Sequence, residues 1–326
     1  MSNITRRDTL KLAGAALGAS ALPQFAFAQA AWPTRGLRAM VPFAAGSSLD
    51  IVGRIVLDPL ATQLGQSIVV ENRGGAGGSI GTAQVAKADP DGYTLLIQAS
   101  AHSAAPAAYP NITYDPAKDF IAVIPFGTVP NVTVVAPASG IKTLKELVAK
   151  SKDGKMTYAS AGVGSATHWA AERIRMAGGF QATHVPFRGG PEALTEVMTG
   201  RVDWTSMGMS SALPLIRDGQ LVPLAVSSTA RSTALPNVPT TVEAGLPNSE
   251  YVYWMGMFVP AKTPAAIVER LRAETAKALQ NPNVVEKFKG QGIEPMSLSP
   301  AEFDALIKKE IVANIELVKA AGLKFN

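Results

Sequence analysis

Three histidines, His102, His168 and His184, and no cysteine make up the metal-ligating and base-forming stock of this 326-residue chain. Without cysteine there are no disulfides, no thiol nucleophile and no thiolate metal site. The histidines stand in neither H-x-x-x-H nor H-E-x-x-H spacing, so a zinc centre is not expected. Ser160 or Ser165 with His168 could be imagined as a hydrolytic pair, but Gly164-Ser165-Ala166 lacks the outer glycines of a G-x-S-x-G elbow. Asp50, Glu196 and Asp203 are scattered, and nothing in the sequence pairs them as acid and base. The run Arg73-Gly74-Gly75-Ala76-Gly77-Gly78-Ser79 suggests a phosphate loop, yet no Lys-Ser/Thr follows it and the G-x-G-x-x-G spacing is missing. A tight turn with unusual backbone angles suits it better. Catalytic residues, metals and cofactors are therefore not expected.

What remains is anion binding. Ser160-Ala161-Gly162-Val163-Gly164-Ser165-Ala166-Thr167-His168 joins a strand-like segment, 155–159, to a helix-like one, 169–176. Small residues between a strand and a helix expose free N–H groups at the positive end of the helix dipole, and that favours an anion. A second such stretch joins a strand at 37–43 to a helix at 51–65 through Ala44-Ala45-Gly46-Ser47-Ser48-Leu49-Asp50. The expectation is that the two loops face each other across a cleft and hold one carboxylate. Ser47 can cap the second helix with Asp50 three residues on, in competition with an outside anion. Asp50 and Arg54 can pair at i and i+4. Ser100 closes a strand at 93–99, where open α/β sheets place ligands. His168 is expected to orient its loop or pack between lobes rather than catalyse.

The elements that must position these loops alternate strand and helix along the chain, which predicts an α/β fold with mostly parallel sheets. Further strands are expected at 67–71, 121–135 (interrupted by Pro125 and Pro130), 183–187, 202–207, 221–227 and 253–259. Helices are expected at 80–88, 144–150, 192–199, 211–218, 264–280, 283–290 and 300–321. Two crossings, near 130 and 227–229, divide the chain into a discontinuous lobe, 32–130 plus 228–326, and an inserted lobe, 131–227, with the ligand between them. Residues 1–28 are set apart as an export leader. Arg6-Arg7 supplies a twin-arginine pair, 12–25 is a short apolar run, and Ala26-Phe27-Ala28 offers small residues for cleavage after Ala28. The net charge is +5; the leader carries three cations against Asp8, so its removal leaves +3. No Lys/Arg cluster with interleaved aromatics marks a nucleic-acid partner. No later segment reaches the ~18 apolar residues of a membrane span.

Several motifs together resemble the tripartite tricarboxylate transporter substrate-binding proteins, the Bug family of periplasmic receptors. They are Val41-Pro42-Phe43…Gly46…Asp50…Arg54, Val69-Val70-Glu71-Asn72-Arg73-Gly74-Gly75, Asp89-Pro90-Asp91-Gly92-Tyr93, Tyr114-Asp115-Pro116…Asp119-Phe120, Ser160…Gly162…Gly164…His168, His184-Val185-Pro186-Phe187-Arg188-Gly189, Val238-Pro239-Thr240…Glu243-Ala244-Gly245 and Trp254…Gly256…Pro260. The resemblance implies a two-lobed, type II-like periplasmic binding fold that closes on a small carboxylate. It also implies a monomer that delivers its ligand to two integral membrane subunits, without catalysis. The residues expected at the ligand are Phe43, Ala45, Gly46, Ser47, Ser48, Asp50, Ser100, Ser160, Gly162, Gly164, Ser165, Ala166, His168, Phe187 and Met207.

Departures from the family pattern bear on the ligand. Ala44-Ala45-Gly46-Ser47 replaces the common Pro-Pro-Gly-Gly, and Leu49 takes a Thr position. Phe187 replaces a common Tyr, and Met207 stands where some amino-acid binders carry Asp. Leaving a ligand amine or hydroxyl unpaired against these residues would cost roughly 1–3 kcal/mol. A carboxylate with an apolar or aromatic body is thus expected in preference to citrate or an amino acid, unless Leu49, Phe187 and Met207 only pack the lobes together. Partnership with a two-component sensor would use the same fold.

Overall fold

The computed structural model describes residues 32–321. The leader expected at 1–28 lies outside them. Ten strands and ten α-helices are described, and the strands form one sheet in the order β2-β1-β3-β9-β4-β7-β5-β6, with β8 and β10 also paired to β4.

The first half opens with β1 (Leu37–Val41), followed by α1 (Ser48–Leu64), β2 (Ile68–Asn72), α2 (Ser79–Ala86), β3 (Thr94–Ala99) and α3 (Ala101–Ala108). β1 lies parallel to both β2 and β3. All six residues of β3 are buried, as suits a central strand covered on both faces. α1 starts three residues before the expected boundary because Ser47, in extended conformation, accepts a hydrogen bond from the Asp50 N–H. It ends at Gly65, whose left-handed conformation lets its N–H reach the carbonyls of Ala61 and Thr62.

β4 (Phe120–Val135) is continuous through Pro125 and Pro130, with irregular register between Ala122 and Ile124 and between Pro125 and Gly127. It pairs with the first half as far as Pro130 and with the second half from Asn131. The second half holds α4 (Leu144–Lys150), β5 (Thr157–Ser160), α5 (Ala166–Gly178), β6 (Thr183–Pro186), α6 (Gly190–Met198), β7 (Trp204–Gly208), α7 (Met209–Arg217) and β8 (Val222–Val226). β5 is parallel to β6 and β7. The chain then returns through β9 (Val252–Pro260), α8 (Ala265–Leu279), α9 (Pro282–Gly290), β10 (Glu294–Pro295) and α10 (Pro300–Ala321).

The expected parallel order holds for the outer triplets, β2-β1-β3 and β6-β5-β7. The strands that carry the chain between halves run antiparallel: β9 against β3 and β4, and β4 against β7 and β8. Each half has its own core. Met40, Leu96, Phe258 and Phe303 belong to the first, and Tyr158, Phe180, Trp204 and Leu224 to the second.

Candidate functional site

Both anion-type loops are built by the same local device. In the first, Ser47 caps α1 and the carboxylate of Asp50 turns back, its Oδ2 accepting from the Gly46 N–H at 2.9 Å. In the second, Ser165 caps α5 by accepting from the His168 N–H, and His168 Nδ1 accepts from the Gly164 N–H at 3.1 Å. Gly46 and Gly164 both have left-handed φ, 77° and 70°, which lets the chain double back there. The caps serve the third N–H of each helix. The two before it, on Ser48 and Leu49 and on Ala166 and Thr167, have no intrahelical partner.

Those four residues line a small cavity, about 40 Å³, between the halves. Ala101 at the start of α3, Gly190 at the start of α6, and Gly208 and Ser211 at the start of α7 complete its helical rim. The first turns of five helices thus converge on one space, each contributing the positive end of its dipole. Phe43, Ala99, Ala161 and Met207 supply apolar wall, and Tyr253 another hydroxyl. Among the described residues no charged side chain of either sign lines it. At one end the Oγ atoms of Ser48 and Ser211 lie 3.0 Å apart, and the Ser211 N–H donates to Ser48 Oγ at 3.2 Å. A Cβ on Gly208 would stand 2.3 Å from the Tyr253 hydroxyl and 2.4 Å from Ser48 Oγ. Only glycine leaves room for the hydroxyls to meet there.

Of the residues expected at the ligand, Phe43, Ser47, Ser48, Ser165, Ala166 and Met207 line this cavity, as does Leu49. Others stand behind it. Asp50 is buried, and its Oδ1 accepts from Arg54 Nε and from Asn72 Nδ2, both at 2.9 Å. Burial pushes its carboxyl up, but these donors and the Gly46 N–H outweigh burial and leave it below the ordinary value. Asp50 thereby fixes the loop from behind. Asn72 also donates to the Phe43 carbonyl at 3.0 Å, tying β2 to the loop. Ala45 and Gly46 belong to that loop without lining the cavity, although the Gly46 carbonyl accepts from Ser211 Oγ at 3.2 Å. Ser100 turns toward the Tyr251 hydroxyl at 3.3 Å, while its neighbours Ala99 and Ala101 face the cavity.

In the second half, Ser160 Oγ contacts His184 Nε2 at 2.7 Å and accepts from the Gly162 N–H. His168 stacks on His184 with ring centroids 4.0 Å apart, and His184 stacks on Tyr158 at 4.8 Å. The Tyr158 hydroxyl donates to Glu172, which Arg175 holds through two nitrogens. Burial, with His184 alongside, lowers His168 to about 3, and burial lowers His184 to about 4. Both are therefore neutral at physiological pH, which Nδ1 of His168 requires in order to accept a hydrogen bond. Gly164 shapes this loop. Gly162 and Phe187 instead border a separate outer groove, about 470 Å³, with Tyr109, Arg188 and Glu192.

Ser165 and His168 are not a nucleophile and base. The Ser165 hydroxyl is occupied by the helix cap and by Thr167 Oγ1 at 2.9 Å, and the imidazole faces a backbone N–H. Among the described residues no cluster of His, Asp and Glu could hold a metal ion, and no helix is long and apolar enough to cross a membrane. Eight lining residues were not expected at the ligand: Ala99, Ala101, Ala161, Thr167, Gly190, Gly208, Ser211 and Tyr253. Ala161 and Thr167 lie within the second loop, and Ala99, Ala101 and Gly208 flank expected residues, so their positions were available; Gly190, Ser211 and Tyr253 reach the cavity only through tertiary structure.

Known proteins share both the sequence and this architecture. The profile of the tripartite tricarboxylate transporter family receptors matches residues 52–323. The "UPF0065 protein in tcbD-tcbE intergenic region" of Pseudomonas sp. (strain P51) is 37% identical over 313 residues, 95% of this chain and 93% of that protein. The periplasmic binding protein BugD superposes with a TM-score of 0.86 at 32% identity, over 90% of this chain and 99% of its own. R. palustris Rpa4515, solved with adipate, gives the same TM-score, identity and coverage. MatC from Rhodopseudomonas palustris, with bound malate, gives 0.81 at 30% identity, over 88% of this chain and all of its own. With a profile match over most of its length, relatives above 30% identity and a shared periplasmic binding protein fold, the chain belongs to the tripartite tricarboxylate transporter receptors, the Bug family, and is a solute-binding receptor and not an enzyme.

Proposed function

We propose that this receptor binds a small carboxylate with an apolar body in the cavity between its halves and presents it to the membrane subunits of a tripartite tricarboxylate-type transporter. One observation carries the reading. Five helix N-termini and several hydroxyls surround a space that has apolar walls and no charged side chain. Such a site stabilises one anionic group through oriented N–H donors. It offers no carboxylate to an ammonium. Adipate in one neighbour and malate in another support the carboxylate class. Leu49 and Met207 at the cavity favour the less polar of the two; Phe187 borders the adjoining outer groove.

In this reading residues 32–130 with 228–326, and residues 131–227, are lobes that hinge where the chain crosses. Residues 1–28 export the protein to the periplasm by the twin-arginine route, with cleavage after Ala28. Calorimetric titration with adipate, benzoate, malate, citrate and glutamate tests the ligand class. Adipate or benzoate is expected to bind at least about tenfold tighter than citrate or glutamate, since each unpaired polar group costs roughly 1–3 kcal/mol. Tighter binding of citrate or glutamate overturns the preference for an apolar body, and no binding of any carboxylate overturns the class.

A further inference from the structure

Within the glycine run, Gly75, Gly77 and Gly78 have left-handed φ, so the turn accounts for them. Gly74 does not. Gly189 is extended, at φ −170° and ψ 168°, a conformation open to any residue. Neither position needs glycine for its own backbone. A Cβ built on Gly74 would nevertheless stand 2.7 Å from the Arg188 carbonyl oxygen, and one on Gly189 2.4 Å from the Cβ of Ala44. Both clashes join one half of the molecule to the other. The nearest atom of its own half to the Gly74 Cβ is Ala44 N, at an ordinary 3.6 Å, and the three nearest to the Gly189 Cβ all belong to Ala44. An alanine therefore fits within each half and fails only where the halves meet. The same seam carries Gly77 against the Val163 carbonyl and Gly164 against Ala108, and the Tyr109 hydroxyl donates to the Val163 carbonyl at 2.8 Å. Glycine backbone packs there on backbone carbonyls and on alanine methyl groups.

We propose that Gly74 and Gly189 are affinity-determining positions: the missing side chains let the halves close fully over the cavity, and one methyl group at either site holds the cleft ajar while leaving both halves folded. The inference rests on the reading that the cavity between the halves is the ligand site. A backbone carbonyl cannot swing aside as a flexible side chain can, so at Gly74 the strain is relieved only by separating the halves.

The natural chain has no cysteine, so a S48C/S211C pair can report closure without any ligand. Its parent hydroxyls are 3.0 Å apart. Mild oxidation should join the pair in the parent background, and adding G189A or G74A should slow the joining by roughly tenfold or more, the scale of an overpacked contact. On the cysteine-free chain, G189A and G74A should weaken adipate binding by a similar factor. G290A is the control, because a Cβ on Gly290 meets nothing within 4 Å. A44G should rescue G189A, since it removes the atom in conflict, and should not rescue G74A. Unchanged cross-linking in both alanine variants overturns the proposal, as does a parent pair that never cross-links or a G290A effect of equal size. If adipate fails to bind the natural protein, the ligand reading is at fault and the cross-linking still decides the seam. Circular dichroism establishes that the variants are folded; if G189A alone misfolds, G74A decides.

Discussion

The loops at 43–50 and 160–168 solve one geometric problem with different chemistry. Each caps a helix with serine, and each turns the side chain three residues later back onto a glycine N–H. The first uses a carboxylate, Asp50, whose charge is matched by Arg54 and by the amide of Asn72. The second uses an uncharged imidazole, His168, stacked against His184. The device requires an acceptor, not a charge. The carboxylate version needs a cation and an amide behind it. The imidazole version needs burial deep enough to keep the ring unprotonated.

Removing the acceptor should hurt the first loop most. D50A loses three donors at a buried position and leaves the Gly46 N–H without its acceptor. It should destabilise the protein by about 2–3 kcal/mol in urea denaturation and weaken carboxylate binding. A loss below about 1 kcal/mol would mean that Arg54 and Asn72, and not the carboxylate, hold the loop.

Acid should separate the loops. His168 and His184 are depressed from 6.5 to about 3 and 4. Their neutral burial adds stability that is complete above pH 6.5 and lost as pH falls through these values, because the unfolded chain takes up protons first. Asp50 lies below 3.8, so its contribution survives until lower pH. Glu172, also depressed, acts below 4.5, whereas His102, lowered to about 4 by burial in the first half, shares the histidine window. H168F keeps a ring on His184 but cannot accept from Gly164. It should cost about 1 kcal/mol at pH 7.5 and flatten the loss of stability between pH 6.5 and 4. Chemical denaturation across that range checks this, and an unchanged slope would remove His168 from the titration.

The smallest contrast lies in the caps. S47A should cost about 1 kcal/mol in thermal denaturation. S165A should cost somewhat more, since Ser165 also bonds Thr167, whose hydroxyl accepts from the Ala161 N–H at 2.8 Å. Equal losses would show that the Thr167 link adds nothing.

Local signals made both loops readable in the sequence. The Ser47 cap with Asp50 three places on and the Asp50–Arg54 spacing belong to one short segment, and they appear in the structure as expected. The Ser165 cap was not read, because α5 begins at Ala166, three residues before its expected start. α3 went unread because Ala101-His102-Ser103-Ala104-Ala105-Pro106 has no apolar rhythm and carries an internal proline. Burial accounts for it instead: His102 is wholly buried, with Nε2 facing the Pro116 carbonyl and its ring against Phe258 and Phe120. Asn72 could not be read as a partner of Asp50, because β2 meets the loop only through the sheet. Ser211 is 163 residues from Ser48, a distance no periodicity bridges. Phe187, named through the family resemblance, borders the outer groove and not the cavity, because β6 ends at Pro186 and the chain turns there.

A cavity walled by peptide dipoles and hydroxyls, with no formal charge on its surface, has a consequence for the fluid around the protein. Ion pairs at a surface weaken as dissolved salt gathers round each partner, over a Debye length of about 8 Å at physiological ionic strength. Partial charges fixed in buried helix ends gather little such atmosphere to be displaced. In the reading proposed above, the grip on an anion should therefore change little as the salt concentration around the protein rises.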